Sequence, residues 1–286
     1  PVNFAYHLNA TAYAGFLRTK SESAGVKRKE GLIEQVEKDD SGNISSLTLS
    51  NGEKILGDFF IDCTGFRALL IGEHLGVGFE DWSHYLAADS AIAVQTEEVK
   101  DPHPYTRSIA HPAGWQWRIP LQGRVGNGIV YSSKFLSDDE AQSALMENLT
   151  GKPITEPKKL RFTTGRRKKS WHKNCVAIGL SSGFLEPLES TSIHLVTTAL
   201  LRLMKLFPFG GNTALLAKQY NREAELEAET IRDFIILHYH LTERDDSPFW
   251  DHYRTMEIPE SLAHRMAIFR ENGYVWLDDV GLFRVD

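Results

Sequence analysis

The sequence predicts an α/β fold, with a β-rich part first and a helical part after it. Short apolar runs separated by turn residues continue as far as Gly179, which is typical of strands. Helical periodicity dominates from Ser190 onward. The 286 residues are enough for one large domain or two small ones with a substantial core. We therefore expect two parts, residues 1–210 and residues 211–286.

The β-rich part is predicted to begin with a helix and to continue as a succession of strands. Asn9 is a suitable N-cap for a helix over residues 10–24, which Gly25 ends. Asn51-Gly52 between two apolar runs is a strong hairpin signal. Ser137, followed by three acids, predicts a second helix over residues 137–149. The predicted strands cover residues 26–29, 32–37, 44–49, 53–56, 59–63, 87–94, 105–109, 115–120, 125–131 and 175–179, with one more beginning at residue 161.

The C-terminal third of the sequence is predicted to form helices over residues 190–207, 212–239 and 261–272. In the second of these helices we expect a set of glutamates to face solvent. They are Glu223, Glu225, Glu227 and Glu229. The sequence shows no internal repeat and no low-complexity linker.

The composition excludes several classes of partner. The net charge of −6 gives no basis for binding nucleic acid, and no run is long and apolar enough to span a membrane. The two cysteines, Cys63 and Cys175, lie at the ends of apolar strands, where a free thiol behaves as a small hydrophobic group. They predict neither a disulfide framework nor a metal cluster, and they favour a reducing, cytoplasmic compartment.

Both ends of the sequence are unusual. It opens on Pro1 without an initiator methionine, and it stops at Asp286 without a closing element. The sequence predicts no signal peptide. We expect this chain to be part of a longer protein.

Two short motifs carry most of the functional information. In residues 114–120, Gly-Trp-Gln-Trp-Arg-Ile-Pro, Trp115 and Trp117 point to the same face of an extended segment. Core packing is the ordinary explanation of such a pair. Residues 184–191, Phe-Leu-Glu-Pro-Leu-Glu-Ser-Thr, place a carboxylate where a helix begins. Because the first amides of a helix lack partners and carry partial positive charge, this position can hold an anion.

A third segment, residues 58–65, is interpreted as a buried strand that ends at Thr64-Gly65. A small residue and a glycine let the backbone approach a ligand closely, as in the strand-to-glycine element near the dinucleotide of two-domain flavoproteins. An ordinary strand-to-loop corner is the alternative. The phosphate fingerprint G-x-G-x-x-G is absent, since Gly76-Val77-Gly78 lacks the third glycine.

Together, the two motifs resemble those of the flavin-dependent halogenases of the tryptophan-halogenase family. G-W-x-W-x-I-P matches fully, and F-x-x-P-x-x-S-x-G matches except that Ser192 stands in place of the last glycine. The resemblance runs from about Phe4 to the last residues. It implies an incomplete, monooxygenase-like FAD-binding module of the two-dinucleotide-binding-domain type, followed by the start of a helical substrate-binding region. The family's phosphate fingerprint and its catalytic lysine lie upstream of Pro1.

The resemblance also implies roles for individual residues. Glu189 corresponds to the glutamate that assists loss of the ring proton, with Glu186 as a second carboxylate nearby. The backbone amides of Thr191 and Ser192 correspond to the halide site. The resemblance implies that the two tryptophans form walls that keep an aromatic substrate from the flavin. The residues implied to bind the cofactor are Thr64, Gly65, Trp115, Trp117, Gly183, Phe184 and Pro187.

The activity that the resemblance implies is halogenation of an electron-rich aromatic ring, indole or tryptophan-like. Reduced FAD supplied by a separate flavin reductase, oxygen and chloride or bromide give hypohalous acid, which travels through an internal tunnel to the substrate. The assembly state stays open, with a homodimer as one alternative. Two other functions also stay open: a flavin-dependent hydroxylase or monooxygenase, and a non-catalytic fragment of a halogenase.

Overall fold

Residues 5–210 and 213–275 are described by the computed structural model of this chain. They fall into two units that interleave along the sequence. The first unit comprises Pro1–Leu32 and Ser90–Arg161, and the second comprises Ile33–Asp89 and Phe162–Asp286. The division expected between residues 210 and 211 stays a prediction.

The chain contains both helices and several sheets, so the predicted α/β fold class is confirmed. The described α-helices are α1 (Ala10–Ser23), α2 (Asp138–Glu147), α3 (Ser192–Lys205), α4 (Thr213–His240), α5 (Pro248–Thr255) and α6 (Glu260–Asn272). The strands before residue 100 are β1 (Ile33–Lys38), β2 (Ile44–Leu49), β3 (Lys54–Leu56), β4 (Phe60–Asp62), β5 (Phe79–Asp81) and β6 (Ser90–Thr96). The later strands are β7 (Arg107–His111), β8 (Gly114–Leu121), β9 (Arg124–Tyr131), β10 (Lys158–Arg161), β11 (Gly165–Arg167), β12 (Trp171–His172), β13 (Cys175–Ala177) and β14 (Gly183–Phe184).

The first unit is built on one antiparallel sheet with the strand order β10-β6-β9-β8-β7. Helix α2 begins with a capping box, in which the Ser137 hydroxyl and the Glu140 carboxylate each receive a backbone amide of the other residue. The helix packs on the sheet through Ala141 and Leu145. The buried residues of this core are Ile92, Val94, Ile129, Tyr131, Ala141 and Leu145.

The second unit contains three small sheets, with the orders β1-β2-β3, β14-β11-β5 and β12-β13-β4, together with helices α3 to α6. β4 and β13 run parallel, with Val176 opposite Ile61. One core lies around β2, β4 and a π-helical turn at Leu69–His74, and another packs Trp171 and Val176 against α3 and α4. Among the described residues, no helix has the length and apolar character needed to cross a membrane.

Most predicted elements are present within a few residues of their predicted bounds, but two strands are not where we expected them. Residues 26–29 form no strand, because Val26 completes the end of α1 instead. Its amide donates to the Ser21 carbonyl, and the Gly25 amide donates to Glu22, which is the Schellman arrangement. The strand expected to begin at Arg161 ends there, since β10 pairs its four residues with β6.

Three further features differ from the helical predictions. The π-helical turn Leu69–His74 and helix α5 were not predicted. Glu227 is buried and pairs with Arg202, with 2.6 Å between their charged atoms. Residues two positions apart point to nearly opposite sides of an α-helix, so acids at every second position cannot all face solvent. The predicted start of α4 at residue 212 lies outside the described residues.

Candidate functional site

The two tryptophans of residues 114–120 lie on β8, between β7 and β9 in the sheet. Their ring centroids are 6.1 Å apart, so the expected shared face is confirmed. Trp115 is buried, whereas Trp117 is half-buried and lies over Gly128 of β9. A Cβ added to Gly128 would come within 2.0 Å of the Trp117 ring, so the indole ring needs a residue without a side chain beneath it. The pair forms a rigid aromatic surface.

In the second unit, β4 ends in a tightly bonded corner. The buried Asp62 carboxylate accepts the backbone amides of Leu70 and Ile71, both at 2.9 Å, and the Thr64 hydroxyl at 2.7 Å. The Thr64 oxygen in turn accepts the amide of Leu69 at 2.7 Å. These bonds occupy the Thr64 side chain, so any contact of Thr64 with a cofactor is left to its backbone.

Gly65 is in the left-handed region at φ 75°, and a Cβ built on it would meet nothing within 4 Å. The carboxyl ends of parallel strands meet at one sheet edge, which is where open α/β sheets bind ligands. Here that edge brings the Gly65 corner next to the turn Gly179–Ser181 after β13. The Ser181 hydroxyl and the Ile178 amide both donate to the Asp62 carbonyl. Two neighbouring backbone turns, with open space beside Gly65, suit the close approach of a dinucleotide.

Gly183 and Phe184 form β14 and pair with β11. A Cβ on Gly183 would lie 2.5 Å from the Gly165 carbonyl oxygen, so close strand packing already requires a glycine there. The Phe184 ring packs edge-on against Phe66 and Phe162, with centroids 5.6 and 4.8 Å away. Predicted cofactor-binding residues thus border an aromatic cluster of the second unit.

The two carboxylates that follow Phe184 have different surroundings. Glu186 is fully buried, and the Tyr239 hydroxyl donates to it at 2.5 Å. Pro187 opens a 3₁₀ turn, Pro187–Glu189, at whose end the Glu189 side chain keeps about 30% of its surface exposed. Glu189 pairs with His238, with 2.9 Å between Oε1 and Nε2. Only Glu189 is therefore accessible from outside the protein core.

The proton positions on His238 follow from its neighbours. Nδ1 lies 2.7 Å from the Phe234 carbonyl oxygen, which can only accept, so Nδ1 carries a proton. Nε2 faces a carboxylate, which also accepts, so a proton lies in that contact as well. The hydrogen bond from Glu189 raises the pKa of His238 above its ordinary value, against the opposing effect of burial. The contact with Glu189 therefore favours the charged form of His238.

Helix α3 begins at Ser192, two residues later than predicted, because the backbone of Ser190 is not in the right-handed helical conformation. Ser190 adopts left-handed angles, φ 55° and ψ 34°, which is a strained conformation for a residue other than glycine. Thr191 is the N-cap residue, yet its side chain makes no capping bond. Its hydroxyl is buried without a hydrogen-bond partner among the described residues. A buried donor at a helix start suits a small anion.

The comparisons with known proteins agree with this arrangement. The sequence model of the family described as tryptophan halogenase matches residues 1–286. This chain belongs to the tryptophan halogenase family.

Individual members of the tryptophan halogenase family align with nearly all of the chain. Tryptophan 7-halogenase RebH of Lentzea aerocolonigenes is 40% identical over 94% of this chain and 52% of its own length. The structure of Xcc4156, a flavin-dependent halogenase from Xanthomonas campestris, superposes with a TM-score of 0.97 at 54% identity, over 99% of this chain and 58% of that one. BrvH, a flavin-dependent halogenase from Brevundimonas sp. BAL3, gives 0.94 at 47% identity, over 98% and 57%. The chain spans about half the length of the curated relatives it matches.

Within this member of the family, the second unit brings most of the predicted site residues onto neighbouring turns, while Trp115 and Trp117 belong to the first unit. Sequence reasoning missed His238, Tyr239 and the structural carboxylate Asp62. The motif His-Tyr-His at residues 238–240 gave no local signal of a role, because the partners of His238 and Tyr239 are about fifty residues earlier in the chain.

Proposed function

We propose that this protein is an FAD-dependent halogenase that attaches chloride or bromide to an electron-rich ring of the indole type. The observation that carries the proposal is the segment Glu186–Ser192. There an accessible carboxylate, a strained serine and a buried hydroxyl that has no partner among the described residues follow one another at the start of α3. Membership of the tryptophan halogenase family and the names of its relatives, which include tryptophan 7- and 6-halogenases, support a tryptophan-like substrate.

The residues of the second unit fit FAD as the cofactor. The Gly65 corner offers backbone and open space at the edge of β4 and β13, beside the turn Gly179–Ser181. Phe184 and Pro187 follow that turn on the same chain segment. Reduced FAD, when bound, supplies the electrons with which dioxygen and a halide ion are converted to hypohalous acid. We also propose Trp115 and Trp117 as cofactor-binding residues that form a rigid aromatic wall; their support is the family motif and the packing of Trp117 over Gly128.

Thr191 and Ser192 are proposed to hold the halide. The amides of the first turn of α3 have no intrahelical acceptor, and the partial positive charge of a helix start favours an anion. The Thr191 hydroxyl adds a donor that has no acceptor in the described part of the chain. Ser192 is the first helical residue, so its side chain is compatible with the local backbone.

Glu189 is proposed as the base that takes the proton from the halogenated ring. As a carboxylate it can accept this proton, and it also stabilises positive charge that develops on the ring. His238 lies 2.9 Å from Glu189 and fixes the orientation of its side chain. Glu186, buried under Tyr239, is assigned to the support of this segment and not to the reaction.

Two further parts of the proposal concern partners. Reduced FAD is expected to come from a separate flavin reductase in a transient encounter, and the substrate is a small aromatic molecule. A homodimer is proposed as one assembly state of the protein.

The test is an assay of the whole protein with FAD, a flavin reductase, bromide and a panel of indoles that includes tryptophan. We expect products whose mass spectra show the paired bromine isotopes. Oxygenated products that form without any halide would instead identify a hydroxylase. A protein that binds reduced FAD, consumes oxygen and gives no halogenated product from the panel would contradict the proposal.

A further inference from the structure

The first unit contains a pocket that the proposed halogenase function does not use. Its volume is about 190 Å³. Ligand pockets for drug-sized molecules start near ~300 Å³, so this one suits a smaller group or one end of a larger molecule. The lining residues are Val99, Asp101, His103, Tyr105, Arg107, Arg118, Pro120, Val125 and Thr150.

The pocket is lined by two arginines that lie opposite each other on neighbouring strands. Arg107 on β7 pairs directly with Arg118 on β8, so their side chains leave the same face of the sheet. Like charges at directly opposite positions are destabilising. Within the described part of the chain, no carboxylate forms an ion pair with either residue, and Asp101 is the one acid among the lining residues. The site therefore has excess positive charge.

Arg118 makes a hydrogen bond within the described part of the chain, and Arg107 makes none. One Arg118 nitrogen donates to the Asn148 carbonyl at the end of α2 at 2.5 Å, which is a favourable place for a cation. Its Nε is buried without an acceptor among the described residues. Burial, and then the nearby charge of Arg107, lower the pKa of Arg118. Arg107 is exposed and makes no hydrogen bond within the described residues, so its donors are available.

An aromatic surface lies beside the two charges. The His103 and Tyr105 rings are stacked, with centroids 5.2 Å apart and planes within 14° of parallel. Tyr105 keeps about half of its surface exposed. The indole rings of Trp115 and Trp117 lie on the other face of β8, because residues alternate along a strand and Arg118 follows Trp117 directly. The pocket is thus separate from the tryptophan surface.

We propose that this pocket binds a small-molecule phosphate monoester that carries a planar ring, the chemistry of a nucleoside monophosphate. Paired guanidinium groups match the oxygens of a phosphate through forked hydrogen bonds, and a doubly charged anion balances two cations better than a carboxylate does. The His103–Tyr105 stack provides a flat contact for the ring.

The experiment measures binding of AMP to the whole protein by isothermal titration calorimetry. The protein is first saturated with FAD, so that any AMP binding at the cofactor site is blocked. Inorganic phosphate and adenosine are titrated separately as the two halves of the probe. We expect AMP to bind, phosphate to bind more weakly and adenosine to give no detectable heat, because the charge pair supplies most of the affinity.

The variant Arg107→Gln is expected to weaken AMP binding about 10-fold or more, since it removes a charge-assisted contact. Arg107→Lys keeps the positive charge but cannot form two parallel hydrogen bonds to one phosphate, so its affinity for AMP should fall less than that of Arg107→Gln. Arg124→Gln is the matched control, because Arg124 lies on β9 of the same sheet, contacts Gln95 and Asn9, and does not line the pocket. It should bind AMP like the unchanged protein.

Several results would overturn the inference. They are the absence of AMP binding to the FAD-loaded protein, equal affinity in Arg107→Gln and Arg124→Gln, and adenosine binding as tightly as AMP. Equal affinities for AMP and inorganic phosphate would remove the ring contact and with it the proposed class of ligand. None of these results depends on halogenation, so a failure here is distinguishable from a failure of the proposed function.

Discussion

Residues 114–120 and residues 184–192 carry the family's two motifs, but the chain holds them in place by different means. Each residue of the first motif lies in β8 and has a partner on β9, from Gly114 opposite Tyr131 to Pro120 opposite Val125. The second motif passes through a two-residue strand, a 3₁₀ turn and the left-handed Ser190 before α3 begins. Its two carboxylates are held by side chains from the last turn of α4.

The difference shows what each motif can do. A segment in the middle of a sheet is rigid and repeats a simple geometry, which suits a surface made of large rings. A segment without a regular ladder can aim a carboxylate and a helix start at one point, but it depends on distant residues for support. The predictions that follow test this division, in order of decreasing effect.

The largest expected effect is on the accessible carboxylate. Glu189→Gln should lower kcat for halogenation about 100-fold or more, because an amide cannot accept the ring proton. FAD binding should stay unchanged. The measurement is the turnover rate together with an FAD titration. The control is Glu257→Gln, an exposed glutamate of the same unit. Turnover of Glu189→Gln equal to that of the control would mean that another group is the base.

The second prediction concerns the rigid motif. Gly128→Ala should reduce the free energy of unfolding by about 1–3 kcal/mol, since its Cβ would be 2.0 Å from the Trp117 ring and the ring must move. Gly126→Ala, on the same strand, is the control, because its nearest neighbour would be 3.8 Å away. Denaturant unfolding of both variants compares the two sites. Equal losses would show that Trp117 is free to shift and that the aromatic surface is not rigid.

The third prediction concerns the support of the irregular motif. His238→Gln keeps a donor near Glu189 but removes the charge, and it should lower kcat about 10-fold. In the unchanged protein the raised pKa of His238 means that the ion pair is complete below the ordinary histidine value near 6.5. The pair is lost as the pH rises through the raised value. We therefore expect the halogenation rate of the unchanged protein to fall as the pH rises through the raised pKa of His238. The pH–rate profile of His238→Gln should lack this fall.

His240→Gln is the matched control for this third prediction. His240 lies on the same turn of α4, but it contacts the Tyr253 carbonyl and not Glu189. Its pH–rate profile should match that of the unchanged protein. Identical profiles for His238→Gln and the unchanged protein would show that the ion pair has no part in orienting Glu189.

The smallest expected effect is on halide choice. Ser192→Gly removes one side chain from the first helical position and restores the family residue, so the ratio of chlorinated to brominated product should shift by less than about tenfold. This range corresponds to less than ~1.4 kcal/mol of differential binding. A competition assay with both halides, read by mass spectrometry, measures the ratio. A ratio that does not change would place Ser192 away from the halide.

Local patterns were enough for much of the fold. Asn9 caps α1 as predicted, Ser137 opens α2 with a capping box, and Asn51-Gly52 joins β2 and β3. These signals work because each depends on residues within a few positions of one another. The strand predicted at residues 26–29 is absent for a reason that is also local, because the Val26 amide bonds to the Ser21 carbonyl at the end of α1.

By itself, the sequence determined the α/β class, the shared face of Trp115 and Trp117, and the family, because alternation, caps and short motifs are local properties of the chain. Only the tertiary structure decided that Glu186 is buried under Tyr239 while Glu189 is accessible and paired with His238. It also decided that Arg107 and Arg118 face each other without an acid partner in the described residues. Burial, and the charge of a neighbour from a distant segment, come from packing and strand register, which local sequence patterns do not contain.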